Sequence, residues 1–214
     1  MSNLKKRILF FTLAFIGLSG CDILRDGNEN SVDAITVHDL AADPQVITDP
    51  TQAPKVTGKF TLFSLKDNKI IANADSATTK WDLGFRASTI IFNGGTNGPG
   101  TTAAQVISGD FDLLTLAPET GYVMDDKTNV TRPYAVPVGS GNGWYNYNPA
   151  SMILSPIPGK LILVRTSTNK YAKIQILNYY KGAPSAPDAS AHQSRYYQFR
   201  YVYQSDGTRT FPSS

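Results

Sequence analysis

From residue 59 onward, apolar and polar positions alternate with a period of two, in short runs broken by glycine, proline and aspartate. In KFTLFSL, Phe60, Leu62 and Ser64 alternate with Thr61, Phe63 and Leu65; Lys66, Asp67 and Asn68 then supply turn residues before KII, which predicts a β-hairpin. WDLGFRASTIIFN, residues 81–93, is rich in aromatic and β-branched side chains and ends in the breaker run GGTNGPG. Further strands are predicted in AAQVIS, FDLLTL, YAVPV, GKLILVR, KYAKIQILNYY and SRYYQFRYVYQ. No stretch keeps a 3.6-residue apolar stripe across three turns, so the pattern predicts an all-β fold, an antiparallel β-sandwich or open barrel, over residues 57–214.

The last two runs carry the clearest faces. Tyr197, Phe199, Tyr201 and Tyr203 share one side of the final strand, against Tyr196, Gln198, Arg200, Val202 and Gln204 on the other. One face is thus almost wholly aromatic, which suits cross-strand packing or a platform for a flat ligand. In the preceding strand, Ala172, Ile174, Ile176 and Asn178 oppose Tyr171, Lys173, Gln175, Leu177 and Tyr179.

Ahead of this domain the pattern changes. Lys5, Lys6 and Arg7 precede an apolar run over residues 8–18, then Ser19, Gly20 and Cys21. The run is shorter than the roughly 20 residues a membrane span requires, and its order is that of a secretory signal over residues 1–20. Cys21 is the only cysteine, so no internal disulfide can form, and LSGC resembles a bacterial lipobox. That resemblance implies cleavage before Cys21 and its lipidation, with more than one acyl chain holding the protein on a membrane. Residues 21–56, polar and with Asp-Pro steps at Asp43 and Asp49, read as a tether.

Three of the 20 basic residues lie in the leader, leaving 17 against 17 acidic ones. A balanced exported domain offers no field for nucleic acid, and no nucleic-acid partner is expected. Catalytic patterns are missing too: with two histidines and one cysteine, and neither HExxH nor GxSxG, the chain is not expected to be an enzyme. GSGNG at 139–143 lacks the following Lys-Ser/Thr pair of a phosphate loop and reads as a turn. Asp110, Asp112, Asp125 and Asp126 lack the spacing of a calcium loop, and no metal site is expected.

GSGNGWYNYNP, PIPGKLILVRT, KYAKIQILNYYKGAP and YYQFRYVYQ, with WDLGFR upstream, resemble the HmuY family of Bacteroidota haem-binding lipoproteins. The resemblance implies an all-β fold, a place on the outer membrane at the cell surface, and iron acquisition, with haem b or a related porphyrin passed to a TonB-dependent receptor. Family members grip the iron between two histidines or two methionines, donors that suit six-coordinate haem. Here His38 falls in the tether, His192 in a polar loop, and the family's second histidine position reads Asn148. Met124 and Met152, the only methionines past the leader, fall near the two ligand-bearing segments. They are the candidate axial ligands, with His192 as a fallback, against the alternative that both methionines are ordinary apolar side chains. Trp144, Tyr145 and Tyr147 are candidates to stack on the ring, or to pack a sandwich corner. The rival reading is a HmuY-like interaction or structural lipoprotein without haem, docking a partner or a glycan.

Since Cys21 carries the only thiol, Cys21→Ala is expected to move the protein from the membrane to the soluble fraction and to abolish palmitate labelling. Unchanged partitioning would reject the lipid anchor.

Overall fold

The computed structural model describes residues 34–49 and 51–211; the leader and Cys21 lie outside them. The strands are β1 (Ile35–Ala41), β2 (Thr61–Ser64), β3 (Lys69–Ile71), β4 (Leu83–Arg86), β5 (Thr89–Phe92), β6 (Ala103–Ser108), β7 (Tyr145–Asn148), β8 (Ile153–Pro156), β9 (Lys160–Arg165), β10 (Tyr171–Tyr180) and β11 (Ser194–Gln204). One sheet has the order β1-β11-β10-β9-β6 and the other β3-β2-β4-β5, while β7 and β8 form a separate hairpin. All strand pairs are antiparallel, as in the expected all-β sandwich.

Alternation decides which side chains fill the space between the sheets. Ile162, Val164, Ala172, Ile174, Tyr197, Phe199 and Tyr201 project from the five-stranded sheet into a single core with Phe63, Leu83, Phe85, Ile90 and Phe92 of the other. The aromatic face of β11 is therefore core. Phe63 meets Phe199 edge-on at 5.7 Å, and Phe85 meets Tyr197 at 4.8 Å. The buried tyrosine hydroxyls also find partners across the sandwich: Tyr197 donates to the Ala87 carbonyl at 2.8 Å and Tyr201 to that of Leu65 at 2.9 Å.

The five-stranded sheet is covered on its outer side as well. Phe111, Ala117, Leu161, Val202 and Phe211 form a second cluster there, which explains why β9 reads as a continuous apolar run. FDLLTL, expected as a strand, is instead the turn that builds this cover. Asp110 Oδ1 accepts the Asp112 and Leu113 amides, and buried Lys173 donates to the carbonyls of Phe111 at 2.6 Å and Leu114 at 3.0 Å. YAVPV is also not a strand; its Ala135 amide is taken by a carboxylate rather than by a ladder. WDLGFRASTIIFN splits into β4 and β5 about a tight turn at Ala87 and Ser88.

The largest difference lies in the segment expected as a tether. Residues 35–41 are an ordered strand, β1, paired with β11 from Ile35↔Tyr201 to Ala41↔Tyr196. Leu40 and Ala42 are buried. The strand is hard to read because it lies at a sheet edge, half-exposed, and a register shift between Val37 and Leu40 interrupts its alternation. Asp43 then fixes the return of the chain, accepting the Thr57 amide at 2.7 Å and the Gly58 amide at 2.9 Å.

A domain beginning at residue 34 is expected to be more stable than one beginning at Thr57 by roughly 3 kcal/mol, since the shorter form loses buried Leu40 and bares the edge of β11. Urea midpoints for the two forms decide this. Equal midpoints would mean that β1 contributes nothing.

Candidate functional site

The side between β5 and β6, one edge strand of each sheet, is closed by irregular chain running from Met124 to Trp144. At its start Val123 bridges to Ala104, and the buried Asp125 carboxylate accepts the amides of Phe92 at 2.8 Å and Ala135 at 2.7 Å and the Asn97 Nδ2 at 2.7 Å. Burial raises the Asp125 pKa, more than these hydrogen bonds lower it. At the other end Trp144 Nε1 donates to the Ser88 carbonyl at 3.0 Å. The segment is thus fastened to both ends of β5.

Along it lies an open cleft of about 530 Å³, with Val106, Tyr134, Pro137 and Val138 as apolar wall and Arg132 and Lys160 as cations. No carboxylate lines it. Lys160 Nζ reaches Ser108 Oγ at 2.9 Å, and Arg132 donates to the Ala135 carbonyl at 3.4 Å. The cleft suits an apolar body bearing negative charge, because each cation retains donors beyond these single bonds. Arg132 and Lys160 were not singled out by sequence, since each is an ordinary polar residue until the fold places them together.

The residues singled out by sequence have mixed fates. Trp144 is buried among Tyr145, Tyr179 and Tyr197, with ring centroids 5.0, 5.7 and 5.1 Å away. Tyr145 is also buried, so both pack the sandwich corner, while Tyr147, two residues further along β7, is 45% exposed. Alternation from Tyr145 had placed these two tyrosines on one side; burial separates them because only the base of the hairpin meets the core.

Met124 and Met152 do not fill the core: they are 48% and 63% exposed. Nor does the fold bring them together. Met124 follows Val123, whose partner Ala104 lies in the row through Val164 and Ala172 at the start of β10. Met152 sits at the tip of the β7–β8 hairpin, which the Leu154 amide ties to the Tyr180 hydroxyl at the end of β10. Eight residues of strand separate those rows, roughly 25 Å. Asn148 caps its own turn, its Oδ1 accepting the Ala150 and Ser151 amides. His192 lies in the 188–193 turn with Nδ1 accepting the Asp188 amide at 3.0 Å, and His38 is exposed on β1.

The remaining acidic residues have structural partners. Asp126 binds the Thr128 hydroxyl at 2.6 Å, and Asp112 pairs with Arg200 at 3.0 Å. Among the described residues no group of three or more His, Cys, Asp or Glu could hold a metal ion. GSGNG is a turn, with Gly139 at φ +93° and Gly141 at φ +81°.

The architecture is that of an all-β domain, two antiparallel sheets with an irregular segment across one open side. Residues 57–201 match the family model described as HmuY protein, and the chain belongs to the HmuY family. It is similar to the crystal structure of a Bacteroides fragilis protein classed as a lipoprotein, with 17% identity, TM-score 0.45, and coverage of 83% of this chain and 91% of that one. A Bacteroides vulgatus structure classed as HmuY-like and haem-binding gives 14%, TM-score 0.44, and 80% and 91% coverage. The apo HmuY analogue of Tannerella forsythia gives 15%, TM-score 0.42, and 80% and 95%. No curated protein matches the sequence.

Asp125→Ala leaves three donors without their acceptor and is expected to cost roughly 3 kcal/mol, with new protease cuts within 126–142. Because the folded pKa is raised, the native state holds the extra proton just above about pH 4, and this site's contribution falls as pH rises through that window. Chemical denaturation against pH, with Asp125→Asn flattening the slope, checks the sign.

Proposed function

We propose that this protein is a lipid-anchored, outer-membrane binding protein that captures haem or a related porphyrin at the cell surface and hands it to a TonB-dependent receptor. The observation that carries the reading is the cleft, which sets two cations and no carboxylate beside an apolar wall. It lies on the segment that joins the two methionine-bearing regions of a HmuY family member. A dicarboxylate porphyrin matches that pairing of charge and surface. Haem itself would supply an iron able to take axial donors.

Arg132 and Lys160 face the carboxylates in this reading, and Tyr134 with Pro137 faces the ring. Met124 and Met152, both exposed, are the thioethers available to the iron, and joint coordination requires the β7–β8 hairpin to move toward the cleft. Thioether sulfur favours ferrous over ferric iron. His192 is the second choice, because its Nδ1 is already engaged.

Titration of the domain with haem and with iron-free protoporphyrin separates these contributions. Arg132→Gln with Lys160→Gln is expected to weaken both ligands about tenfold. Met124→Ala and Met152→Ala are each expected to lose the low-spin ferrous spectrum while keeping protoporphyrin. A spectrum unchanged in both methionine variants would shift the assignment to His192. If no Soret shift appears in either redox state, the haem reading falls and the interaction-protein alternative replaces it.

A further inference from the structure

The outer cover of the five-stranded sheet carries two large apolar side chains that it does not bury. Leu113 is 79% exposed and Leu116 is 53% exposed, although their neighbours Phe111 and Ala117 are buried. The cover is not loosely held. Lys173 binds the carbonyls of Phe111 and Leu114, Leu116 bridges to Thr210, and the Ala117 amide donates to the Arg209 carbonyl at 2.7 Å. Both leucines therefore project from a fixed platform rather than a free loop.

The first described residue, Ala34, packs on this same cluster, as does Leu114 of the cover. Between it and Cys21 lie the twelve residues 22–33, whose fully extended reach is at most about 45 Å. The polypeptide thus enters the fold on the face that bears the leucines. A lipid on Cys21 would hold that face near the bilayer at high effective concentration, so a small apolar contact would be occupied.

We propose that the Leu113–Leu116 face is a membrane-contacting surface that seats the lipidated domain against its own bilayer. The inference rests on the lipid-anchor reading of Cys21. The contact is apolar: Asp110 and Asp112 stand beside the leucines, and Arg200 is already paired with Asp112, so no net positive charge draws the face to anionic lipid. It is therefore insensitive to salt.

Once Cys21 is acylated the chain has no other thiol, so Leu113→Cys and Val130→Cys each accept a single nitrobenzoxadiazole label. Val130 is 93% exposed and lies on the cleft-forming segment rather than on the cover, which makes it the aqueous reference. The full lipidated protein is reconstituted in phosphatidylcholine vesicles and quenched with iodide. The label at 113 is expected to shift to the blue and to be quenched about fivefold less than at 130, at low and high salt alike. Equal quenching at both positions on protein that floats with the vesicles overturns the orientation alone. Protein that does not float removes the lipid anchor, and the proposal with it.

Discussion

The inner face of β11 holds the two sheets together. Tyr197, Phe199 and Tyr201 are wholly buried and pack on Phe63 and Phe85, and the two hydroxyls end on carbonyls of the opposite layer. An aromatic ring brings a large apolar area, while an unpaired buried hydroxyl would cost on the order of 1–3 kcal/mol. Both requirements are met only at one relative placement of the sheets. The tyrosines therefore fix register where phenylalanines alone would fix only distance.

That placement also decides the shape of the β4–β5 turn. Ala87 has φ +47°, a conformation that favours glycine, yet its amide donates to the Ala42 carbonyl and its own carbonyl receives Tyr197. Trp144 takes the next carbonyl, that of Ser88. The turn is thus imposed by β1, β11 and the start of the β7–β8 hairpin together. Since Trp144 ends the segment that makes the cleft, the walls of the cleft inherit their position from the β11 aromatics. The other end depends on a single carboxylate, Asp125, holding donors from three separate stretches.

What could be read in the sequence follows from where the determining forces lie. The β2–β3 hairpin and the strands β9 to β11 were legible because alternation and turn residues act locally. WDLGFRASTIIFN was not legible as two strands, because Ala87 and Ser88 carry no turn signal and the bend comes from tertiary contacts. FDLLTL matches a strand in composition, but Asp110 caps the following amides and Lys173 captures the carbonyls. β1 was hidden by its edge position. At the site, Trp144 and Tyr145 were found as an aromatic concentration, but whether they face a ligand or the core depends on burial, which local pattern does not encode. The Arg132 and Lys160 pair depends on chain separated by 28 residues and left no local trace.

Lys173 shows how the outer face came to be available. A lysine pointing outward from the centre of a sheet normally reaches water, whereas here it is wholly buried, with Phe111 and Phe211 rings at 4.7 and 5.4 Å from its Nζ. Burial lowers its pKa, while the nearby Asp112 opposes that shift. The carbonyls it binds belong to a turn, not a strand, so the first part of the cover is held by a cation and two oxygens, while Leu116 and Ala117 pair with the backbone of Thr210 and Arg209. A turn of this kind need not continue the alternation of the sheet beneath it. Phe111 and Ala117 can point in while Leu113 and Leu116 point out, which an added β-strand could not arrange with that spacing, since residues an even number apart share one face. The exposed leucines therefore belong to a cover that departs from the alternation of the sheet beneath it, and they appear on the face by which the chain enters the fold.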